Sequence, residues 1–231
     1  TGVLSSALAM DKAVMKDIFS KHEIPQGSYK TIYKYNLADF YQLTEEIESE
    51  ISWPCFVKPA NMGSSIGISR VNKAEELKKA LTKAFKYDQK VVLEEFISGR
   101  EVECSVLGNT NIEASLPGEI KAGNEFYDYQ AKYQDNSTEL IIPANLDDTM
   151  ISEIKKIAIN AFRAVDGRGF ARIDFFIKDS GEILVNEINT IPGFTRYSMY
   201  PKLWEVSGLS YKDLINKLIS LALEWQEELK Q

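Results

Sequence analysis

The sequence predicts an α+β protein of two lobes, and three observations carry that expectation. Amphipathic helical stripes alternate with short apolar strand runs along all 231 residues. A turn-like break at Ser98-Gly99-Arg100 divides the chain into residues 1–98 and 99–231. Two late runs, Arg172-Ile173-Asp174 and Glu187-Ile188-Asn189, read as a hairpin that puts an arginine, two carboxylates and an amide on one face. A chain of this length can bury one large core or two modest ones, and size slightly favours two.

The first helix is expected from about Ser6 or Asp11 to Lys21, with Val14, Met15, Ile18 and Phe19 as its apolar stripe and Pro25 forcing a stop. Strands follow at 29–33, 55–58 and 66–71. Asn72 caps a helix reaching about Tyr87, with Leu77, Ala80, Leu81, Ala84 and Phe85 at helical spacing. Val91-Val92-Leu93 is a buried strand that closes the first lobe. The second lobe opens with strands at 101–107 and 112–116, then a long polar stretch over 117–147 of the kind that serves as a lid or stays disordered. A helix over 148–165 ends at Gly167, strands at 170–177 and 183–188 flank Ser180-Gly181, and a last amphipathic helix covers 210–228.

The composition, 44% hydrophobic and 26% charged, is that of a globular protein. A net charge of −7 argues against broad nucleic-acid binding while leaving room for a phosphate held by a few local lysines. No secretory signal is visible, and no apolar run approaches the roughly 18 residues that span a bilayer. Cys55 and Cys104 lie in apolar strand-like runs without metal or disulfide spacing, so buried thiols in a reducing cytoplasm are expected, with no membrane partner. The chain opens Thr1-Gly2-Val3-Leu4 and reads as a piece of a longer protein.

The chemistry concentrates in a few runs. A two-residue Ser180-Gly181 loop pairs Asp179 with Glu182, and therefore Asp174 with Glu187 and Arg172 with Asn189. Cross-strand β-carbons are about 4.5–5.5 Å apart in such a pair. Two adjacent carboxylates repel unless a cation lies between them, and oxygen donors with one amide suit Mg²⁺. A salt-bridged solvent face around Arg172 is the plainer alternative, and a one-residue slip would scatter the group. Gly63-Ser64-Ser65-Ile66-Gly67, after Lys58-Pro59, suits a flap that meets phosphate oxygens, or a plain turn. It is not a Walker loop. Glu94-Glu95-Phe96-Ile97 with Glu101 reads as a connector whose backbone meets a base edge and whose acid meets a ribose, or as ordinary strand charges. The aromatic run 126–133, with Tyr127, Lys132 and Tyr133, is a lid or a set of core plugs. His22, the only histidine, fits no catalytic pattern.

Taken together, these runs closely resemble the D-alanine–D-alanine ligases of the ATP-grasp superfamily, over nearly the whole chain. The residues that carry the resemblance are Ser5-Ser6-Ala7-Leu8-Ala9-Met10-Asp11-Lys12, Lys58-Pro59 with Gly63-Ser64-Ser65 and Gly67, and Phe126-Tyr127-Asp128-Tyr129 with Lys132-Tyr133. Arg172-Ile173-Asp174-Phe175-Phe176 and the run from Asn186-Glu187-Ile188-Asn189 through Pro192-Gly193-Phe194-Thr195 complete them. The resemblance implies two α+β lobes sandwiching ATP. Lys12, Lys58, Ser65 and Lys132 would meet its phosphates, Glu94, Glu95 and Ile97 its adenine, and Glu101 its ribose.

It further implies two Mg²⁺ or Mn²⁺ ions on Asp174, Glu187 and Asn189. The carboxylate of one D-alanine would attack the γ-phosphate, and the amine of a second would displace phosphate from the acyl phosphate. Arg172 and Gly193 would stabilise the tetrahedral intermediate, Tyr127, Ser198 and Met199 would contact substrate, and Ser64 and Tyr133 would hold the lid closed. The implied role is peptidoglycan synthesis, with a homodimer when full length.

Family members carry a further N-terminal α/β domain, which supplies an acidic residue for the first substrate's amino group and a basic loop near the phosphates. Neither is recognisable here, so little turnover is expected from this chain alone. Tyr127 and Lys132 match members that use D-alanine over those that use D-lactate or D-serine. A nucleotide-binding module without catalysis, and a ligase for other carboxylates and amines, are the competing readings.

Overall fold

The computed structural model describes residues 1–37, 40–121, 139–195, 197–228 and 230. The aromatic run 126–133 lies outside them. In chain order the elements are α1 (Val3–Met10), α2 (Lys12–Lys21), β1 (Tyr29–Tyr33), α3 (Phe40–Glu50), β2 (Cys55–Pro59), β3 (Ser69–Val71), α4 (Ala74–Ala84) and β4 (Lys90–Glu95). After them come β5 (Gly99–Gly108), β6 (Glu113–Ala114), β7 (Gly118–Lys121), β8 (Glu139–Ile141), α5 (Asp148–Ala164), β9 (Gly169–Lys178), β10 (Ile183–Asn189), α6 (Met199–Val206) and α7 (Tyr211–Glu228).

The strands form two antiparallel sheets, ordered β1-β4-β2-β3 and β10-β9-β5-β7-β8, with β6 also on β5. The chain crosses from one sheet to the other over Phe96-Ile97-Ser98. In the smaller sheet, alternation sends Cys55, Val57, Val91 and Leu93 into a core with Ile47 of α3 and Leu77, Leu81 and Ala84 of α4. Lys58, Val92 and Glu94 therefore face the other way. In the larger sheet, Val102, Cys104, Val106, Ala171, Ile173 and Phe175 pack on Ile154, Ala158 and Phe162 of α5. The opposite face is covered at one end by α6 and α7, where Tyr200, Trp204 and Leu214 pack on Leu107 and Phe170. At its other end that face is open.

The helix α2 is wedged between the sheets. Met15 and Phe19 belong to the core of the larger sheet, while Ala13 packs on Ala60 and Val92 of the smaller one. The expected single N-terminal helix is broken at Asp11, whose extended backbone ends α1 and whose carboxylate accepts from Val14 N to start α2. Asn72 is not a helix cap: its N–H donates to Glu76 at 2.9 Å, and the helix starts from Lys73. The third strand is shorter than 66–71, because the flap takes residues up to Ile68. Two helices went unread: α3, with Phe40, Leu43 and Ile47 at helical spacing, and α6, which tolerates Pro201 because it sits in the first turn.

The hairpin corrects the turn but keeps the pairs. Lys178 N–H donates to Glu182 O, so the loop is Asp179-Ser180-Gly181, three residues long, with Gly181 at φ 87°. Near the turn Ile177 pairs with Ile183 and Phe175 with Val185. A β-bulge then inserts Asn186, after which Glu187 pairs with Asp174 and Asn189 with Arg172. The longer loop and the bulge each shift the register by one residue, and the shifts cancel. The bulge also reverses the alternation, so Val185 and Ile188 both reach the core while Glu187 and Asn189 face the open side. Beside it, Val185 N–H donates to Pro25 O at 2.7 Å and ties the segment after α2 to the edge strand.

Deleting Asn186 removes the extra residue without changing which side chains face the core. The variant should remain folded, with a loss of no more than about 1–3 kcal/mol in urea denaturation. A deletion variant that cannot fold would show that the bulge does more than set the register.

Candidate functional site

Between the sheets lies a cavity of about 1050 Å³, near the upper end of the range of small-molecule sites. One wall comes from α2 and the smaller sheet. Lys12, the first residue of α2, donates from Nζ to Met62 O at 2.6 Å. Four residues on, Lys16 projects from the same helical face and is only 2% exposed. Its Nζ is 3.5 Å from Glu94 Oε2, and Lys58 Nζ donates to that same oxygen at 3.0 Å.

Glu94 is thus a buried carboxylate under two lysine heads. Burial disfavours its charge, but Lys16, Lys58 and then Lys12 override that and lower its pKa to about 2. Burial conversely lowers the pKa values of Lys12 and Lys16, with Glu187 across the cavity acting to raise both. The flap between β2 and β3 carries Ser64 and Ser65 at φ 52° and 60°, and Gly63 and Ser64 line the cavity. Gly67, at φ 78°, leaves no room for a side chain, since a Cβ would stand 2.7 Å from Pro59 Cγ.

The facing wall is the open end of the larger sheet. Arg172 Nε and Nη2 donate to the two carboxylate oxygens of Asp174 at 2.7 and 2.8 Å, a bidentate pair. Arg172 Nε also lies 3.1 Å from Glu103 Oε2. Burial works against the guanidinium's charge, yet Asp174, Glu103 and Glu187 hold its pKa above its already high range. Asn189 Oδ1 accepts from Ile191 N at 3.2 Å and fixes the start of the loop after β10. In that loop Gly193 approaches Ser198 so closely that a Cβ would stand 2.8 Å from Ser198 Oγ. Ser198 Oγ accepts from Thr195 N at 3.0 Å, and Gly193, Ser198 and Met199 all line the cavity.

One cavity thus brings together most of the residues singled out in the sequence. Lys12, Ser64, Glu101, Arg172, Asp174, Glu187, Asn189, Gly193, Ser198 and Met199 line it. Lys58 and Glu94 stand behind Lys12, and Ser65 continues the flap. Glu95 and Ile97 lie at the crossing between sheets, where Glu95 Oε1 accepts from Ser28 N at 3.0 Å. Tyr127, Lys132 and Tyr133 lie outside the described residues.

Two residues went unnoticed in the sequence. Glu103 is 6% exposed and follows Glu101 at strand spacing, so period-two alternation alone puts it on the same face. Lys16 follows Lys12 at helical spacing, but a helix buried on two sides is not legible from one apolar stripe.

Glu103, Asp174 and Glu187 outnumber the single guanidinium in their group, and their hard oxygen donors fit Mg²⁺ or Mn²⁺. Among the described residues no three Asp, Glu, His or Cys side chains converge enough to enclose a metal alone. Mg²⁺ completes its shell with water and phosphate oxygens and needs few protein ligands.

Residues 18–220 match the family described as "D-ala D-ala ligase C-terminus". The chain is 61% identical over 223 residues to the D-alanine--D-alanine ligase of Halothermothrix orenii, covering 96% of this chain and 65% of that protein. It is 51% identical over 237 residues to the enzyme of the same name from Acetivibrio thermocellus, covering 62% of its length. Among solved structures, the D-alanine-D-alanine ligase from Coxiella burnetii superposes with a TM-score of 0.87 at 37% identity, over 99% of this chain and 61% of that one. The VanG D-Ala:D-Ser ligase from Enterococcus faecalis superposes with a TM-score of 0.85 at 38% identity, over 94% and 63% of the respective chains.

Replacing Glu94 with Gln leaves the buried Lys16 and the half-buried Lys58 without their carboxylate. A loss of about 3–5 kcal/mol at pH 7 is expected in urea denaturation. Because folding depresses this carboxylate from 4.5 to about 2, its contribution is full above the unfolded value and lost as pH falls through the folded one. The gap between the two proteins should therefore narrow on acidification through that window. A constant gap would rule out this origin.

Proposed function

The chain belongs to the D-ala D-ala ligase C-terminus family, and on that footing we propose that it works in an ATP-dependent ligase joining two D-alanines into D-alanyl-D-alanine for peptidoglycan. The observation that carries this reading is the pair of opposed walls: lysines on one side of the cavity, and three carboxylates around an arginine on the other. Such walls suit a polyphosphate that arrives with divalent cations. The chain spans about two thirds of its relatives' length, so the activity is assigned to the whole protein.

In this reading, residues 1–98 and 99–231 act as two lobes with ATP between them. Lys12, Lys58, Lys132 and the flap at Ser64 and Ser65 meet the phosphates, and Glu101 the ribose. The Glu94 carboxylate is engaged by lysines and the Glu95 and Phe96 N–H groups by Ser28 O and Pro54 O, so the backbone at the Ile97 end of the connector would meet the adenine edge. Asp174, Glu187 and Asn189 would hold two Mg²⁺ or Mn²⁺ ions, which when bound neutralise phosphate charge.

The carboxylate oxygen of the first D-alanine attacks the γ-phosphorus as the bond to ADP breaks. The amine of the second then attacks the acyl carbon, and phosphate departs from the tetrahedral intermediate. Arg172 and the Gly193 N–H would face the developing oxyanion, while Lys132, Ser198 and Met199 seat the second substrate. Positioning and charge neutralisation suffice, with no covalent enzyme nucleophile. Tyr127 would contact substrate, and Tyr133 would meet Ser64 as the lid closes.

Relatives named for D-alanine favour it as second substrate over D-serine or D-lactate, although the D-Ser ligase shares the fold. Two free, buried cysteines are consistent with a cytoplasmic location, and no helix among the described residues is long and apolar enough to cross a membrane.

The whole protein should release phosphate from ATP only when D-alanine is present and should form the dipeptide. Tight ATP binding without D-alanine turnover would favour a catalytically silent nucleotide-binding module instead. Asp174→Asn and Glu187→Gln should each weaken Mg-ATP binding by about tenfold or more, as measured by calorimetry. Unchanged affinity would remove the metal assignment.

A further inference from the structure

We propose that Glu103 is a positioning residue that takes Arg172 over from Asp174 when a divalent cation binds there. The inference rests on the metal assignment of the preceding reading and adds a residue to it. Asp174 gives both of its oxygens to Arg172. A cation arriving at the same carboxylate meets a guanidinium already held there by two hydrogen bonds, and the like charges repel. Arg172 then needs another seat close enough to reach without moving its strand.

Glu103 is that seat. It pairs with Asp174 directly across β5 and β9, on the cavity side, and its Oε2 is already 3.1 Å from Arg172 Nε. Both carboxylates stand at the cavity wall, so a change of partner keeps the guanidinium there for the reacting carbonyl. Glu103 is not placed as a third ligand, since among the described residues no trio of acidic side chains converges to hold a metal. Charge accounts for the arrangement as well: Glu103, Asp174, Glu187 and Arg172 together become formally neutral when one divalent cation joins them.

The test is Mn²⁺ binding to the whole protein with a non-hydrolysable ATP analogue, followed by electron paramagnetic resonance. Glu103→Gln should weaken Mn²⁺ binding about tenfold, because Arg172 then competes for Asp174. In an Arg172→Met background the same substitution should change affinity by less than about twofold. Glu103→Asp, which keeps the charge but withdraws it, should fall between, and serves if the glutamine variant does not fold.

Unchanged affinity in Glu103→Gln would overturn the inference. So would an equal loss in both backgrounds, which would mean that Glu103 acts on the cation through its own charge or as a ligand and not through Arg172. Absence of Mn²⁺ binding in the unaltered protein would overturn the metal assignment along with it, whereas intact binding that ignores Glu103 would leave the ligase reading standing.

Discussion

The site depends on how an edge strand absorbs a single extra residue. A strand that alternates strictly must send Glu187 and Asn189 to the same side as Val185, and that side is the apolar core. The Asn186 bulge resolves the conflict, because it lets Val185 and Ile188 stay buried while the polar pair turns to the cavity. The bulge sits where the segment after α2 pairs with β10 through Val185 and Pro25. The strand that supplies the acids and the helix that supplies the lysines are therefore joined at the point where the register changes.

The wedge position of α2 has a comparable effect on charge. Met15 and Phe19 belong to one sheet's core, and Lys16 leans toward the other sheet. A buried lysine is costly alone, and Glu94 makes Lys16 tolerable by serving it and Lys58 together. What looks like an acidic residue of a nucleotide site is thereby also the counterion that fixes the basic wall. The contacts that stabilise the cluster also set where Lys58 stands.

Much of this was legible in the sequence, and the failures are instructive. The hairpin pairs Asp174–Glu187 and Arg172–Asn189 came out correctly from a turn that was one residue too short, because the bulge compensated. The spacing of Ile183, Val185 and Ile188 carried the missing signal: two, then three, where a regular strand keeps two. Glu103 was equally available, one alternation beyond Glu101. Lys16 was not, since its burial comes from a sheet far away in sequence, and no local pattern distinguishes a lysine facing solvent from one facing a carboxylate. The residues expected to bear on substrate choice, Tyr127 and Lys132, fall outside the described part of the fold.

The opposed walls have a thermodynamic consequence. Lys12 and Glu187 influence each other across the cavity, so a ligand carrying only negative charge satisfies one wall and aggravates the other. An isolated cation does the reverse. If nucleotide and metal bind as proposed, each should therefore raise the other's affinity, and linkage requires the two factors to be equal. On the proposed reading, occupancy would follow the product of two concentrations rather than either one, so a fall in free Mg²⁺ would lower nucleotide occupancy even where ATP is abundant.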